Sequence, residues 1–134
     1  MKLTAREILT LAVLTISSTV FAEGNRHAQE AIEQLDRASE NAKAGDVEGT
    51  VQGIDQAKKH AILHEAKHPF HEPAKATANE KFRRKHTRRA FETMNKAKDL
   101  ARKGDTAGAA EAAGEAEKQL RNEGRHDQGL DRSP

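Results

Sequence analysis

The chain has 134 residues, a formal charge of +2 and 33% charged side chains, with four Phe and no Tyr, Trp or Cys. Without cysteine there is no disulfide framework, thiolate metal site, thiol nucleophile or c-type haem attachment, and this length suits one small domain. The near balance of charge hides an uneven layout, a basic segment over 75–103 between acidic segments over 23–74 and 104–134, which points to helices that pair by charge.

Residues 1–22, MKLTAREILTLAVLTISSTVFA, start with Lys2 and Arg6, continue through an apolar run and end in Val20-Phe21-Ala22. That order predicts a secretory signal peptide cut after Ala22. The apolar run over 8–21 is shorter than the roughly 20 residues that span a bilayer, so no membrane span is expected after cleavage.

The remainder reads as helix throughout. Ala, Glu, Lys, Gln and Arg dominate, and β-branched residues are few. Two segments repeat at a fixed offset: His27, Ala31, Gly45, Asp46 and Gly49 reappear as His86, Ala90, Gly104, Asp105 and Gly108. This is an internal duplication. In each copy a Gly-Asp pair closes one helix and opens the next, because Gly takes the left-handed closing position and Asp accepts from exposed N–H groups. Turns this short make neighbouring helices antiparallel. The expected domains are a first hairpin over 23–68, a Pro/His loop over 69–77 and a second hairpin over 78–124. A disordered tail over 125–134 follows. Pro69 and Pro73 forbid a continuous helix between the copies, and Thr77 to Glu80, TANE, reads as a capping box. The fold class is all-α: an antiparallel up-down four-helix bundle built from two duplicated helical hairpins.

Its apolar stripes are narrow. Ala31, Ile32, Leu35 and Ala38 mark the first helix, Val51, Ile54, Ala57 and Ala61 the second, Ala90, Phe91 and Met94 the third, and Ala113, Ala116 and Leu120 the fourth. Alanine buries little area, so hydrophobic stabilisation is modest.

Four of the seven histidines lie in HAILHEAKHPFHEP, residues 60–73, and His60, His64 and His68 recur every fourth residue. Counted outward from the first turn, His27 and His64 stand at equal height, so His27, His60 and His64 gather at one end with His68 and His71 in the adjoining loop. The second copy brings His86 to the same end, opposite Glu123. Imidazoles four apart on a helix lie 5–6 Å apart at Cβ and can chelate one ion. His27 or Glu30 on the first helix can complete the set. Nitrogen and carboxylate donors, with no sulfur near except Met94, suit copper(II), zinc or nickel.

HAQEAIEQL (27–35), GDVEGTVQGIDQAKKH (45–60) and GDTAGAAEAAGEAEKQL (104–120) resemble the small metal-binding proteins of the bacterial periplasm. The resemblance implies a histidine-rich four-helix bundle that binds divalent metals, copper foremost, with His27, His60, His64 and His86 as candidate ligands. Relative to that family this chain has fewer histidines, with Gln34 and Gln119 at positions where the family carries them, so one or two sites are expected.

The run FRRKHTRRAF (82–91) offers an alternative role, a helical adaptor for an envelope protein or an anionic surface. Base-stacking aromatics are scarce, and an exported chain would not meet nucleic acid. No catalytic constellation emerges. The reading is a periplasmic, non-enzymatic protein that sequesters a divalent metal through His27, His60, His64, His68, His71 and His86.

Overall fold

The computed structural model describes residues 19–67 and 74–129. His68, His71, Pro69, Pro73 and most of the expected signal peptide lie outside the described residues. The described residues form four helices in succession: α1 (Thr19–Lys43), α2 (Val47–Lys67), α3 (Ala78–Arg102) and α4 (Thr106–Gly129). Among the described residues there are no strands.

Both inter-helix turns are built alike. Gly45 and Gly104 have φ of 78° and 83°, a region open to Gly because it lacks Cβ. Each closes its helix with the same pair of bonds. Gly45 N donates to Ala42 O at 3.0 Å and Asp46 N to Asn41 O at 2.9 Å, while Gly104 N donates to Ala101 O and Asp105 N to Leu100 O at 3.0 Å each. The next helix starts at once, since Asp46 Oδ1 accepts from Gly49 N and Asp105 Oδ1 from Gly108 N, both at 2.9 Å. The third start is the TANE capping box. Thr77 Oγ1 accepts from Glu80 N at 3.2 Å, and Thr77 N donates to Glu80 Oε2 at 2.7 Å.

These turns fold neighbouring helices against each other in reverse order. Along α1 and α2, Ala38 meets Gly53 near the turn and His27 meets His60 far from it. A Cβ on Gly53 would stand 3.0 Å from the Ala38 Cβ and 3.2 Å from Gln34 O, so a bare Cα permits this close approach. Along α2 and α3, Lys98 bonds Asp55 at 2.5 Å, Lys58 bonds Asn95 at 2.8 Å and Thr87 bonds Glu65 at 3.4 Å. Ser39 Oγ donates to Ala110 O at 3.1 Å, tying α1 to α4. The packing is that of a four-helix bundle.

Alanine fills most of the core. Leu35, Ile54, Met94 and Thr50 are the largest side chains in full burial, among Ala31, Ala38, Ala57, Ala90, Ala97, Ala113 and Ala116. A second, smaller cluster of Ala42, Ala101, Ala109 and Ala110 lies beside the two turns. Toward the opposite end the interior turns polar. Thr87 and Glu123 are buried there, at positions that continue the apolar stripes of α3 and α4. α1 begins ahead of Ala22, the expected cleavage point, and α4 runs on to Gly129, past the expected end of the second hairpin at 124. No Pro interrupts α4 before Gly129, which lets the helix continue.

Candidate metal centre

Two groups of histidine and carboxylate side chains converge at the end remote from the Gly-Asp turns: His27, Glu30 and His60, and His64, Glu65 and Glu123.

The first group joins α1 to α2. His27 Nδ1 and His60 Nδ1 face each other at 3.3 Å across the two helices. Their rings stack with centroids 5.6 Å apart. Glu30, one turn beyond His27, sets Oε2 at 2.9 Å from His60 Nδ1 and 3.4 Å from His27 Nδ1. Its other oxygen, Oε1, is held by Arg26 Nε at 3.2 Å. Such an outer partner fixes the carboxylate's orientation. The exposures of His27, His60 and Glu30 side chains, 16%, 22% and 32%, shield the group without sealing it from an entering ion.

Three lone-pair atoms therefore bound one small triangle with edges of 2.9, 3.3 and 3.4 Å. One ring can donate its Nδ1–H to the other Nδ1 or to Glu30 Oε2, so without an ion the three atoms compete for a proton. Glu30 Oε2 is buried and makes no hydrogen bond of good geometry. A cation among the three atoms would engage all three lone pairs at once. Ligands about 2.0–2.1 Å from a common centre stand about 2.9 Å apart when they subtend a right angle and about 3.4 Å apart in a tetrahedron. The donor triangle spans that interval, so the residues fit a small divalent ion.

The second group joins α2 to α4, with α3 closing one side. Glu65 and Glu123 carboxyls face each other, Thr87 Oγ1 stands 3.4 Å from Glu65 Oε1, and Arg83 Nε stands 3.7 Å from Glu123 Oε1. Burial and the facing Glu123 carboxylate push the Glu65 pKa up to about 7, against the opposing pull of Arg83 and the Thr87 hydroxyl.

His60 and His64, four residues apart, thus enter different groups. Four residues advance a helix by about 40° beyond a full turn, so His60 meets α1 while His64 stands beside Glu65 and Glu123. His86 belongs to neither group and packs its ring against Phe82, with centroids 4.1 Å apart. His68 and His71 lie outside the described residues. Glu65 and Glu123 were not among the sequence-derived ligands, although Glu123 falls on the stripe of Ala113, Ala116 and Leu120, where a charged residue is a signal in itself.

A family model described as small metal-binding protein matches residues 1–123. Comparison with curated proteins and with solved structures found no significant match. Among the described residues no helix is long and apolar enough to cross a membrane.

Proposed function

The chain belongs to the small metal-binding protein family, and we propose that it is a periplasmic, non-enzymatic protein that sequesters or buffers a divalent metal, copper(II) foremost, through His27, Glu30 and His60. The observation that carries this reading is the closed triangle of His27 Nδ1, His60 Nδ1 and Glu30 Oε2. Two imidazoles and a carboxylate suit copper(II), zinc or nickel, and at one such site copper(II) binds tightest of the three. Among the described residues the one sulfur, that of Met94, is fully buried in the core, away from the site, which disfavours copper(I). The charges and hydrogen-bonding groups of the site come from two helices joined by a tight turn, so binding an ion also holds the hairpin shut at its open end. That coupling supports a storage role in a bundle whose alanine core supplies little cohesion of its own. Export through residues 1–22 would put the protein in the periplasm.

The test is a calorimetric titration of the metal-free protein with copper(II) and with zinc, repeated on His27→Ala/His60→Ala. Saturable binding at micromolar affinity or better, with one ion fewer per chain in the double variant, is the expected result. Equal binding by the two proteins removes this site from consideration.

A further inference from the structure

His64, Glu65 and Glu123 bring one ligand atom each to within 4.8 Å of the others. The carboxylates come from different hairpins, Glu65 from α2 and Glu123 from α4. Glu123 is only 5% exposed, and its Oε1 has no hydrogen-bond partner. Glu65 Oε2 is likewise buried and makes no hydrogen bond. The Arg83 guanidinium faces the pair, yet its Nε remains 3.7 Å from Glu123 Oε1, beyond hydrogen-bond length. Two carboxylates packed together out of water repel each other, and a buried acceptor without a donor is costly. Thr87 offers its hydroxyl to Glu65 Oε1 at 3.4 Å, which leaves Glu65 Oε2 and Glu123 Oε1 to be satisfied. A divalent cation satisfies both carboxylates at once, and His64 supplies an imidazole nitrogen on the same side.

We propose that His64, Glu65 and Glu123 form a second divalent-cation site, distinct from the first in donor chemistry and in what it joins. The proposal rests on the metal-binding reading of the chain but not on the first site. The first site offers two nitrogens and one oxygen and closes α1 onto α2 within one hairpin. This one offers one nitrogen and two oxygens, a set that accepts zinc and other oxygen-tolerant ions and favours copper(II) less. It fastens α2 to α4, and so the first hairpin to the second. Arg83 is its resident counter-charge, which an arriving ion replaces beside Glu123.

The probe is Zn2+, titrated calorimetrically into the metal-free protein, His27→Ala/His60→Ala, Glu65→Gln/Glu123→Gln and the fourfold variant, with helicity followed by circular dichroism. Each double variant is expected to lose one ion per chain relative to the parent, and the fourfold variant two. If Glu65→Gln/Glu123→Gln binds as many zinc ions as the parent, with unchanged affinities, the carboxyl pair only shares a proton and the second site is overturned. If His27→Ala/His60→Ala keeps the parent count while the glutamine variant loses one ion, the first site fails and the second stands. Should the glutamine variant lose helicity, His64→Ala replaces it. A drop of at least about tenfold in affinity for one zinc ion supports the site, and unchanged affinity overturns it.

Discussion

His27 and His60 are 33 residues apart in the chain, yet their Nδ1 atoms lie 3.3 Å from each other across α1 and α2. An ion gripped by both cannot persist when the helices separate, so metal affinity is folding free energy at this contact. Copper(II) at about 100 times its dissociation constant adds about 2.7 kcal/mol, a rise in Tm of about 10 °C or more for a domain of this size. His60→Ala should abolish the part of that rise owed to this site while changing the metal-free Tm little, since His60 is partly exposed. Thermal scans with and without metal decide it, and an undiminished shift in the variant counts against the contact.

Glu30 contributes through charge as well as position. Glu30→Gln keeps the shape of the side chain and removes the negative oxygen that stands 2.9 Å from His60 Nδ1. Copper(II) affinity should fall by about 10–100-fold with helicity unchanged. Arg26→Gln, which frees Glu30 Oε1 from its 3.2 Å contact, should cost less, because Arg26 only orients the ligand. The reverse ranking of the two variants would show that the carboxylate is not a ligand.

The pH dependence of the metal-free fold follows from Glu65. Its pKa stands at about 7 in the folded chain against an ordinary 4.5, so the folded state holds a proton that the unfolded state releases. Below about 4.5 both states are protonated and the full stability is present. It is lost as pH rises toward 7 and beyond. After allowance for solvent screening at this partly buried group the loss is about 1–2 kcal/mol. Glu65→Gln should therefore be more stable than the parent at pH 8 and no more stable at pH 4. Urea midpoints at the two pH values measure this, and a gain at pH 4 equal to that at pH 8 would contradict it.

Counting residues from the Gly-Asp turns was enough to bring His27, His60 and His64 to one end, because helical rise is constant. It gave height but not azimuth. His27 stands at the height of His64 by count, yet meets His60, because a turn of α2 carries His64 round toward Glu65 and Glu123. The capping box at Thr77 and the positive φ of Gly45 and Gly104 were legible, since each depends on residues adjacent in sequence. The Glu65–Glu123 encounter depends on how one hairpin settles on the other, which no local pattern encodes. Its trace in the sequence is a polar residue on an apolar stripe, as at Thr87 on α3 and Glu123 on α4.

Turn and site occupy opposite ends of the bundle, which allows stability and binding to be separated. Gly45 has φ of 78°, and nothing lies within 4 Å of where its Cβ would be. Gly45→Ala therefore meets no steric clash with neighbours and pays only for the left-handed backbone, about 1–2 kcal/mol. The helices it joins still bring His27 against His60, since Leu35, Ala38 and Ile54 hold the hairpin between turn and site. Urea unfolding should register the loss of about 1–2 kcal/mol, while copper(II) affinity measured well below the transition should change less than about twofold. If affinity fell in step with stability, the first site would have to be assembled by the turn itself, and the packing of α1 on α2 would not suffice to preorganise it.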